Sequence, residues 1–175
     1  MGYFFDGGIK LESAQRLIDY MKNNKEVKLY LTTTGGSITH CHMLAQHINT
    51  LGKPIEIITD WEVSSAGFLL LLLVKCPIQV LSNTFSIIHL MSRSIHTRDL
   101  NDEYNQTSVI NKQLEKNNDR WITIYKKIGI MDYEIKQMRL GKSVVLTSKR
   151  VIEAIQTYRK LPENEKYKNV VGDIE

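Results

Sequence analysis

The stretch VKLYLTTTGGSITHCHMLAQHINTLGKPIEIIT, residues 27–59, contains the pattern that decides the fold. Val27–Thr32 alternates apolar and polar side chains and predicts a β-strand, and Thr34–Gly36 predicts a turn. Ser37–Leu51 then predicts a helix, and Ile55–Thr59 predicts a second strand. A strand, a helix and a second strand in this order are typical of a parallel sheet whose faces are covered by helices.

The flanking sequence continues this alternation, so we predict an α/β fold with a mostly parallel sheet. Asp60–Ser65 predicts a polar turn, and Ala66–Val74 is apolar on every face, which predicts a buried helix. Arg98–Lys127 predicts a long polar helix that protrudes and packs against another subunit. The other predicted strands are Tyr3–Phe5, Ile78–Leu81, Phe85–Leu90 and Gly141–Leu146, and the other predicted helices are Leu11–Asn23, Asp132–Arg139 and Ser148–Tyr158, the last capped by Thr147.

Length and composition narrow the class of protein. A chain of 175 residues predicts one domain, which we assign to residues 1–160, followed by a charged tail over residues 161–175. The 23 Lys and Arg residues are scattered, so we predict no nucleic-acid partner. The longest apolar run, Phe68–Val74, is far shorter than the ~20 residues that a bilayer requires. The N-terminus lacks signal-peptide features, and Cys41 and Cys76 form no C-x-x-C pair. These features predict a cytoplasmic protein, and we predict no membrane partner.

Three features of the sequence carry candidate chemistry. Gly35-Gly36 stands where a strand meets a helix, and two glycines there allow a tight turn with exposed backbone N–H groups. Ser64-Ser65-Ala66-Gly67 forms a second strand-to-helix turn, where Ser65 is placed as a nucleophile that becomes an alkoxide. Either serine can instead cap the buried helix. His89 lies on an apolar strand, where it is either a base or a core residue.

In combination, these features resemble the Clp protease proteolytic-subunit family. Ser65 follows Gly36 by 29 residues, and His89 follows Ser65 by 24 residues. The family carries Ser-Pro-Gly-Gly, Ala-Ser-Met-Gly and Met-Ile-His-Gln-Pro at similar spacings. The matching segments are Thr33-Thr34-Gly35-Gly36, Ser64-Ser65-Ala66-Gly67 and Ile87-Ile88-His89-Leu90-Met91, and the resemblance covers residues 3–155.

The resemblance implies a ClpP/crotonase-like fold of repeated β-β-α units that acts as a serine endopeptidase. Ser65 would attack the substrate carbonyl, and His89 would take the hydroxyl proton. The N–H groups of Gly36 and Ala66 would form the oxyanion hole. We predict no cofactor and no metal. Family members form two stacked seven-membered rings, so we expect a homo-oligomeric ring whose substrates are peptides or unfolded proteins.

The chain departs from the family at the position of the catalytic Asp. Ser143 occupies this position, so the imidazole lacks the carboxylate that fixes its tautomer and stabilises its positive charge. Asp132, Glu134 or another acid can replace it only if the fold brings that acid to His89. Two functions therefore stay open: a weak or atypical endopeptidase, and a catalytically impaired subunit that acts in assembly or binding. A crotonase-type acyl-CoA enzyme, which resembles this fold and also uses an oxyanion hole, is the third alternative.

Other departures concern partners and competing sites. The chain begins at the family's first core strand, so family-type docking to an ATPase unfoldase is in doubt, although such a partner stays a candidate. That short N-terminus and the Gly-Lys-x-Val-x-Leu-Thr pattern at residues 141–147 look more like the phage and plasmid paralogues. Ser92–Thr97 replaces a glycine-rich stretch that lines the family's substrate cleft. His40-Cys41-His42 invites a metal interpretation, but neighbouring residues on a helix point about 100° apart, which argues against a shared ion. His40 and His42 also compete with His89 as the base.

Overall fold

The computed structural model describes residues 2–91 and 104–166. Their elements follow the predicted alternation of strands and helices, and a short 3-10 helix, Glu163–Glu165, follows the last of them. In chain order these are β1 (Gly2–Asp6), α1 (Leu11–Asn23), β2 (Val27–Thr33), α2 (Ile38–Thr50), β3 (Ile55–Val63), α3 (Ala66–Leu73), β4 (Ile78–Val80), β5 (Phe85–Ile88), α4 (Tyr104–Lys127), α5 (Asp132–Arg139), β6 (Val144–Thr147) and α6 (Ser148–Lys160).

The strands form one sheet in which parallel pairs predominate. The strand order is β1-β2-β3-β5-β6, and β4 pairs with β3 outside this path. Among the described strands, β5 and β6 form the antiparallel pair and the other pairs are parallel. Helices α1 and α2 connect successive parallel strands, as the opening stretch of sequence predicts. The predicted α/β fold with a mostly parallel sheet is confirmed.

The helices are buried as the pattern of apolar residues in each of them predicts. Helix α3 is buried from Ala66 to Leu72, which confirms the prediction of a helix without a solvent-facing side. It starts immediately after Ser65, so the position of this serine is set by a rigid, buried element. Helix α1 buries one face only, and the side chains of that face are Ala14, Leu17, Ile18 and Met21.

Strand β3 is longer than predicted. It runs to Val63, so the prediction of a polar turn over Asp60–Ser65 is wrong for residues 60–63. Trp61 adopts a φ of 63°, and the register against β2 shifts before Thr33 pairs with Val63. The side chains of Asp60 and Trp61 are exposed, but the backbone continues to pair. Glu62 pairs with Phe85 of β5, and Val63 pairs with Thr33 of β2.

The end of α4 packs into the domain. Trp121, Ile124 and Tyr125 are buried, whereas the predicted start of this helix at Arg98 lies outside the described residues. The Asn118 side chain makes two hydrogen bonds that join the helix to the chain beyond β5. Its Oδ1 accepts from the backbone N–H of Met91 at 2.8 Å, and its Nδ2 donates to the Met91 carbonyl at 3.2 Å. The segment that carries His89 is therefore held between the sheet and α4.

Thr147 is the N-cap residue of α6, as predicted, but its side chain makes no capping hydrogen bond within the described residues.

The C-terminal residues of the described chain also contact the domain. Leu161 packs against the core, and Glu165 pairs with Lys127 at 2.8 Å. Within residues 2–91 and 104–166, no helix combines the length and the apolar character needed to cross a membrane.

Candidate active site

The turn between β2 and α2 forms one part of the site. Gly35 and Gly36 have φ angles of 100° and 140°, a region that favours glycine. Gly36 forms a parallel bridge with Ile9, in which Ile9 N donates to Gly35 O at 2.7 Å and Ser37 N donates to Ile9 O at 2.8 Å. Since this bridge uses atoms of the residues on either side of Gly36, the N–H of Gly36 itself faces away from Ile9. We call residues 35–36 the glycine strip.

Ser65 occupies a strained position in the turn between β3 and α3. Its φ of 51° and ψ of −120° match the first central position of a type II′ turn, where glycine is usual. The N–H of Gly67 closes this turn by donating to Ser64 O at 2.8 Å. Such a conformation costs a non-glycine residue about 1–3 kcal/mol and is concentrated at functional sites. The strain therefore distinguishes Ser65 from an ordinary turn serine.

Neither serine of this turn caps α3 with its side chain. Ser65 is the N-cap residue, yet its hydroxyl makes no capping hydrogen bond within the described chain. Ser64 is buried, and its Oγ accepts from the backbone N–H of Ile87 at 2.8 Å. The capping alternative is therefore wrong for both residues, and the Ser65 hydroxyl is available to a ligand.

The two turns are in direct contact because both contain glycine where they meet. A β-carbon added to Gly35 would lie 2.6 Å from Ser65 Cβ, 2.8 Å from Ser64 O and 3.0 Å from Ala66 N. A β-carbon added to Gly67 would overlap Thr33 Cγ2 at the end of β2. The glycine strip thus lies directly against the residue that begins α3. In the hydrogen bonding of the described residues, the N–H groups of Gly36 and Ala66 have no acceptor.

His89 lies just beyond the end of β5, and a backbone hydrogen bond joins this strand to the Ser65 turn. Ser65 N donates to Ile87 O at 2.8 Å, two residues before the histidine. His89 is exposed, and its Nδ1 lies 2.7 Å from Leu90 O. A carbonyl can only accept, so Nδ1 must carry the proton and Nε2 of the neutral ring is an acceptor. That tautomer is the one a general base needs.

A cleft of about 460 Å³ brings the predicted residues together. Ser65, His89, Gly36 and Ala66 all line it. No hydrogen bond joins Ser65 Oγ to His89 in the described structure, and such bonds are often long before a substrate binds. His40 and His42 do not line the cleft, which leaves His89 as the histidine beside Ser65.

Ser143 lies beside the histidine in strand register. Strands β5 and β6 pair antiparallel, and their last pair is Ile88 with Val144. The next residue on each strand in this register is His89 on one side and Ser143 on the other. Ser143 is exposed and does not line the cleft. The fold thus brings Ser143 to the neighbouring strand position without placing its side chain in the cleft.

The two acids considered as replacements are bound elsewhere. Glu134 is buried and accepts two hydrogen bonds from Arg150, at 2.6 and 2.7 Å. Those hydrogen bonds lower the pKa of Glu134, so it is a carboxylate committed to the guanidinium. Asp132 pairs with Lys126 at 2.8 Å. Among the described residues that line the cleft, none is a carboxylate.

The cysteines and the remaining histidines form no alternative site. Cys41 is buried, its Sγ donates to Ala66 O at 3.1 Å, and burial raises its pKa. Burial also raises the pKa of Cys76 to about 11, so both sulfurs are thiols rather than thiolates at neutral pH. Across the described ranges, no group of three or more His, Cys, Asp and Glu side chains could hold a metal ion.

Sequence reasoning missed several residues of the cleft. Lys10 lines its polar edge, and Trp121 and Tyr125 of α4 line its apolar side. Both aromatic residues belong to the apolar stripe of that helix, which predicts burial but not a place in the cleft. Nothing in the local sequence points to Lys10, because its position depends on the bridge between Ile9 and Gly36.

Comparison with known proteins agrees with this architecture. The model of the Clp protease family matches residues 7–148, which include both turns, the histidine and the position of Ser143. No curated protein matches the chain. The mostly parallel sheet, flanked by helices and with Ser65 held against the glycine strip, is a ClpP-like α/β fold. The chain belongs to the Clp protease family, a family of peptidases.

Proposed function

We propose that the protein is a serine endopeptidase that cleaves peptide bonds through an acyl-enzyme on Ser65. The observation that carries this proposal is the strained Ser65 turn beside the glycine strip, where the N–H groups of Gly36 and Ala66 have no acceptor among the described residues. Ser65 Oγ attacks the carbonyl carbon while His89 Nε2 takes its proton, and the two N–H groups bind the oxyanion. His89 then protonates the departing amine, and water hydrolyses the ester.

The carbonyl of Leu90 supplies part of what the missing carboxylate would supply. Its hydrogen bond to Nδ1 of His89 keeps the reactive tautomer, but a neutral acceptor stabilises the imidazolium less than a carboxylate does. Ser143, which stands in the position of that carboxylate, brings no charge and does not line the cleft. In well-characterised triads, replacing this carboxylate by its amide, which leaves the wrong tautomer, costs about 10⁴ in kcat. We therefore propose a weak or atypical endopeptidase.

A second candidate function is that of a catalytically impaired subunit that acts in assembly or binding. It is favoured by the lack of a carboxylate among the described residues that line the cleft. In either case we propose that α4 contributes to a homo-oligomeric ring that takes peptides or unfolded proteins. A monodisperse monomer at micromolar concentration in light scattering would count against the ring. An ATPase unfoldase is a further candidate partner.

The test is covalent labelling by a fluorophosphonate, read by intact mass and peptide mapping. Wild type is compared with Ser65→Ala, Ser143→Ala and Ser143→Asp. We expect a single adduct on Ser65 and none in Ser65→Ala. Labelling should be faster in Ser143→Asp, with the roughly 10⁴-fold effect seen in triads as its upper bound. Ser143→Ala is the matched control, because it changes the same position without adding charge.

The outcomes separate the two candidate functions. An adduct on Ser65 in wild type supports the peptidase, and cleavage of a fluorogenic peptide then measures its rate. No adduct in wild type, but one in Ser143→Asp, supports the impaired subunit. Labelling of another residue, or of Ser65→Ala at the wild-type rate, would contradict Ser65 as the nucleophile.

A further inference from the structure

Charge is distributed unevenly around the cleft. Its apolar lining consists of Ile38, Phe68, Leu69, Met91, Trp121 and Tyr125. We call Gly8, Lys10 and Thr34, which line the same cleft together with the glycine strip, the polar edge. Lys10 is the lysine of this edge, and no described residue that lines the cleft is acidic. The polar edge therefore carries a positive charge without a balancing carboxylate.

The position of Lys10 is set by the backbone beside the glycine strip. It directly follows Ile9, the residue that bridges Gly36. A β-carbon added to Gly8 would lie 3.6 Å from Lys10 Cε and 3.6 Å from Gly35 O. The lysine side chain thus runs past Gly8. Lys10 and the glycine strip line the same cleft, so a ligand bound there meets both.

Helix stability does not explain a lysine at this position. Lys10 is the N-cap residue of α1, where Ser, Thr, Asp and Asn are favoured and a cation opposes the helix dipole. The capping bond comes instead from Ser13, whose Oγ accepts from Lys10 N at 3.0 Å. Within the described residues Lys10 takes part in no ion pair. Lys10 is exposed, so its ammonium group is accessible to an external partner.

We propose that Lys10 is a specificity-determining residue that selects substrates with a carboxylate close to the scissile bond. This rests on the proposed function, because it assigns a substrate class to the same cleft. The carboxylate is that of an Asp or Glu side chain, or the free C-terminus of the peptide. The apolar side of the cleft accommodates a neighbouring hydrophobic side chain.

The experiment measures kcat/KM for quenched fluorogenic peptides in which Glu, Gln or Lys is moved one position at a time across the cleaved bond. C-terminally amidated peptides separate a side-chain carboxylate from a terminal one. The variants are Lys10→Met and Lys10→Glu. Lys25→Met is the matched control, since it removes an exposed lysine just before β2, at the end of that strand opposite the cleft.

We expect wild type to prefer Glu over Gln at one position by roughly 1.5-fold to fivefold, the range for an exposed ion pair. Lys10→Met should abolish this preference, Lys10→Glu should favour the Lys peptide, and Lys25→Met should behave like wild type. Raising the salt concentration should reduce this preference in wild type and in Lys25→Met. Equal kcat/KM for Glu and Gln peptides in wild type, or an unchanged preference in Lys10→Met, would overturn the proposal.

Two further measurements keep this proposal distinct from the proposed function. Fluorophosphonate labelling of Ser65 should proceed at the wild-type rate in Lys25→Met, and a loss of labelling in Lys10→Met alone would make Lys10 part of the chemistry instead. If wild type neither labels nor cleaves, the proposed function fails, and binding is measured with the same peptides and Ser65→Ala. Tighter binding of the Glu than of the Gln peptide, lost on adding Lys10→Met, would still support Lys10 as the selecting residue. Equal binding, or no binding at millimolar peptide, would refute it.

Discussion

Replacing Gly35 by alanine tests the contact between the two turns that defines the site. An L-residue with a φ of 100° costs about 1–2 kcal/mol. The new methyl group would also lie 2.6 Å from Ser65 Cβ and 2.8 Å from Ser64 O, and the second of these is a backbone atom that cannot rotate away. Overpacking of this kind adds about 1–3 kcal/mol. We expect Gly35→Ala to lower the free energy of unfolding by about 2–5 kcal/mol in total.

Gly129→Ala is the matched control for backbone strain. Gly129 has a φ of 90°, and a β-carbon added to it meets no atom within 4 Å. It should therefore lose only the strain component, about 1–2 kcal/mol. Urea unfolding followed by circular dichroism, at one protein concentration, compares the two variants with wild type. The difference between them isolates the contact of Gly35 with the Ser65 turn.

The same variants report on the site when they are folded. Gly35→Ala should lose most of the fluorophosphonate labelling at Ser65, because relief of the overlap moves the glycine strip away from the serine. Gly129→Ala should keep the wild-type labelling rate. If both variants lose the same stability and Gly35→Ala is labelled normally, the close approach of the two turns is refuted.

Two further predictions concern polar contacts that stabilise the fold. Ser64→Ala leaves the part-buried backbone N–H of Ile87 in β5 without its acceptor, so it should cost about 1–2 kcal/mol in urea unfolding, and Ser64→Thr, which keeps the hydroxyl, should cost less. Arg150→Met should cost about 2–4 kcal/mol at pH 7, because it leaves the Glu134 carboxylate buried without its cation, and less at pH 5, where that carboxylate can take a proton. In wild type the lowered pKa of Glu134 stabilises the fold fully above about pH 4.3, and this contribution is lost as the pH falls through the lowered pKa. An equal loss in Arg150→Met at both pH values would contradict the pairing.

The fold was largely predictable because its signals are local. The predicted helices Leu11–Asn23 and Asp132–Arg139 have the bounds that the structure shows. Amphipathic periodicity and an apolar helix are properties of neighbouring residues, so they can be read without tertiary contacts. The polar residues 60–63 were misread as a turn, since their strand pairing depends on partners elsewhere in the chain.

The candidate site was predictable in part. Spacing and the family resemblance point to Ser65 and His89, and the structure places both on one cleft. The resemblance also directs attention to Ser143, which lies next to the histidine in strand register but outside the cleft lining. The sequence leaves open whether a distant acid such as Glu134 replaces the missing carboxylate. The structure shows that Glu134 is paired with Arg150 instead.

By itself, the sequence determined the order of strands and helices and the residue types at both turns, because these depend on propensity and periodicity within short segments. Only the tertiary structure decided that Gly35 touches Ser65, that Leu90 fixes the His89 tautomer, and that Lys10 faces the cleft without an acidic partner among the described residues. Such contacts depend on strand register and on the approach of separate turns. A change of one residue in register moves every side chain to the opposite face of a sheet, so short-range patterns cannot specify these distances.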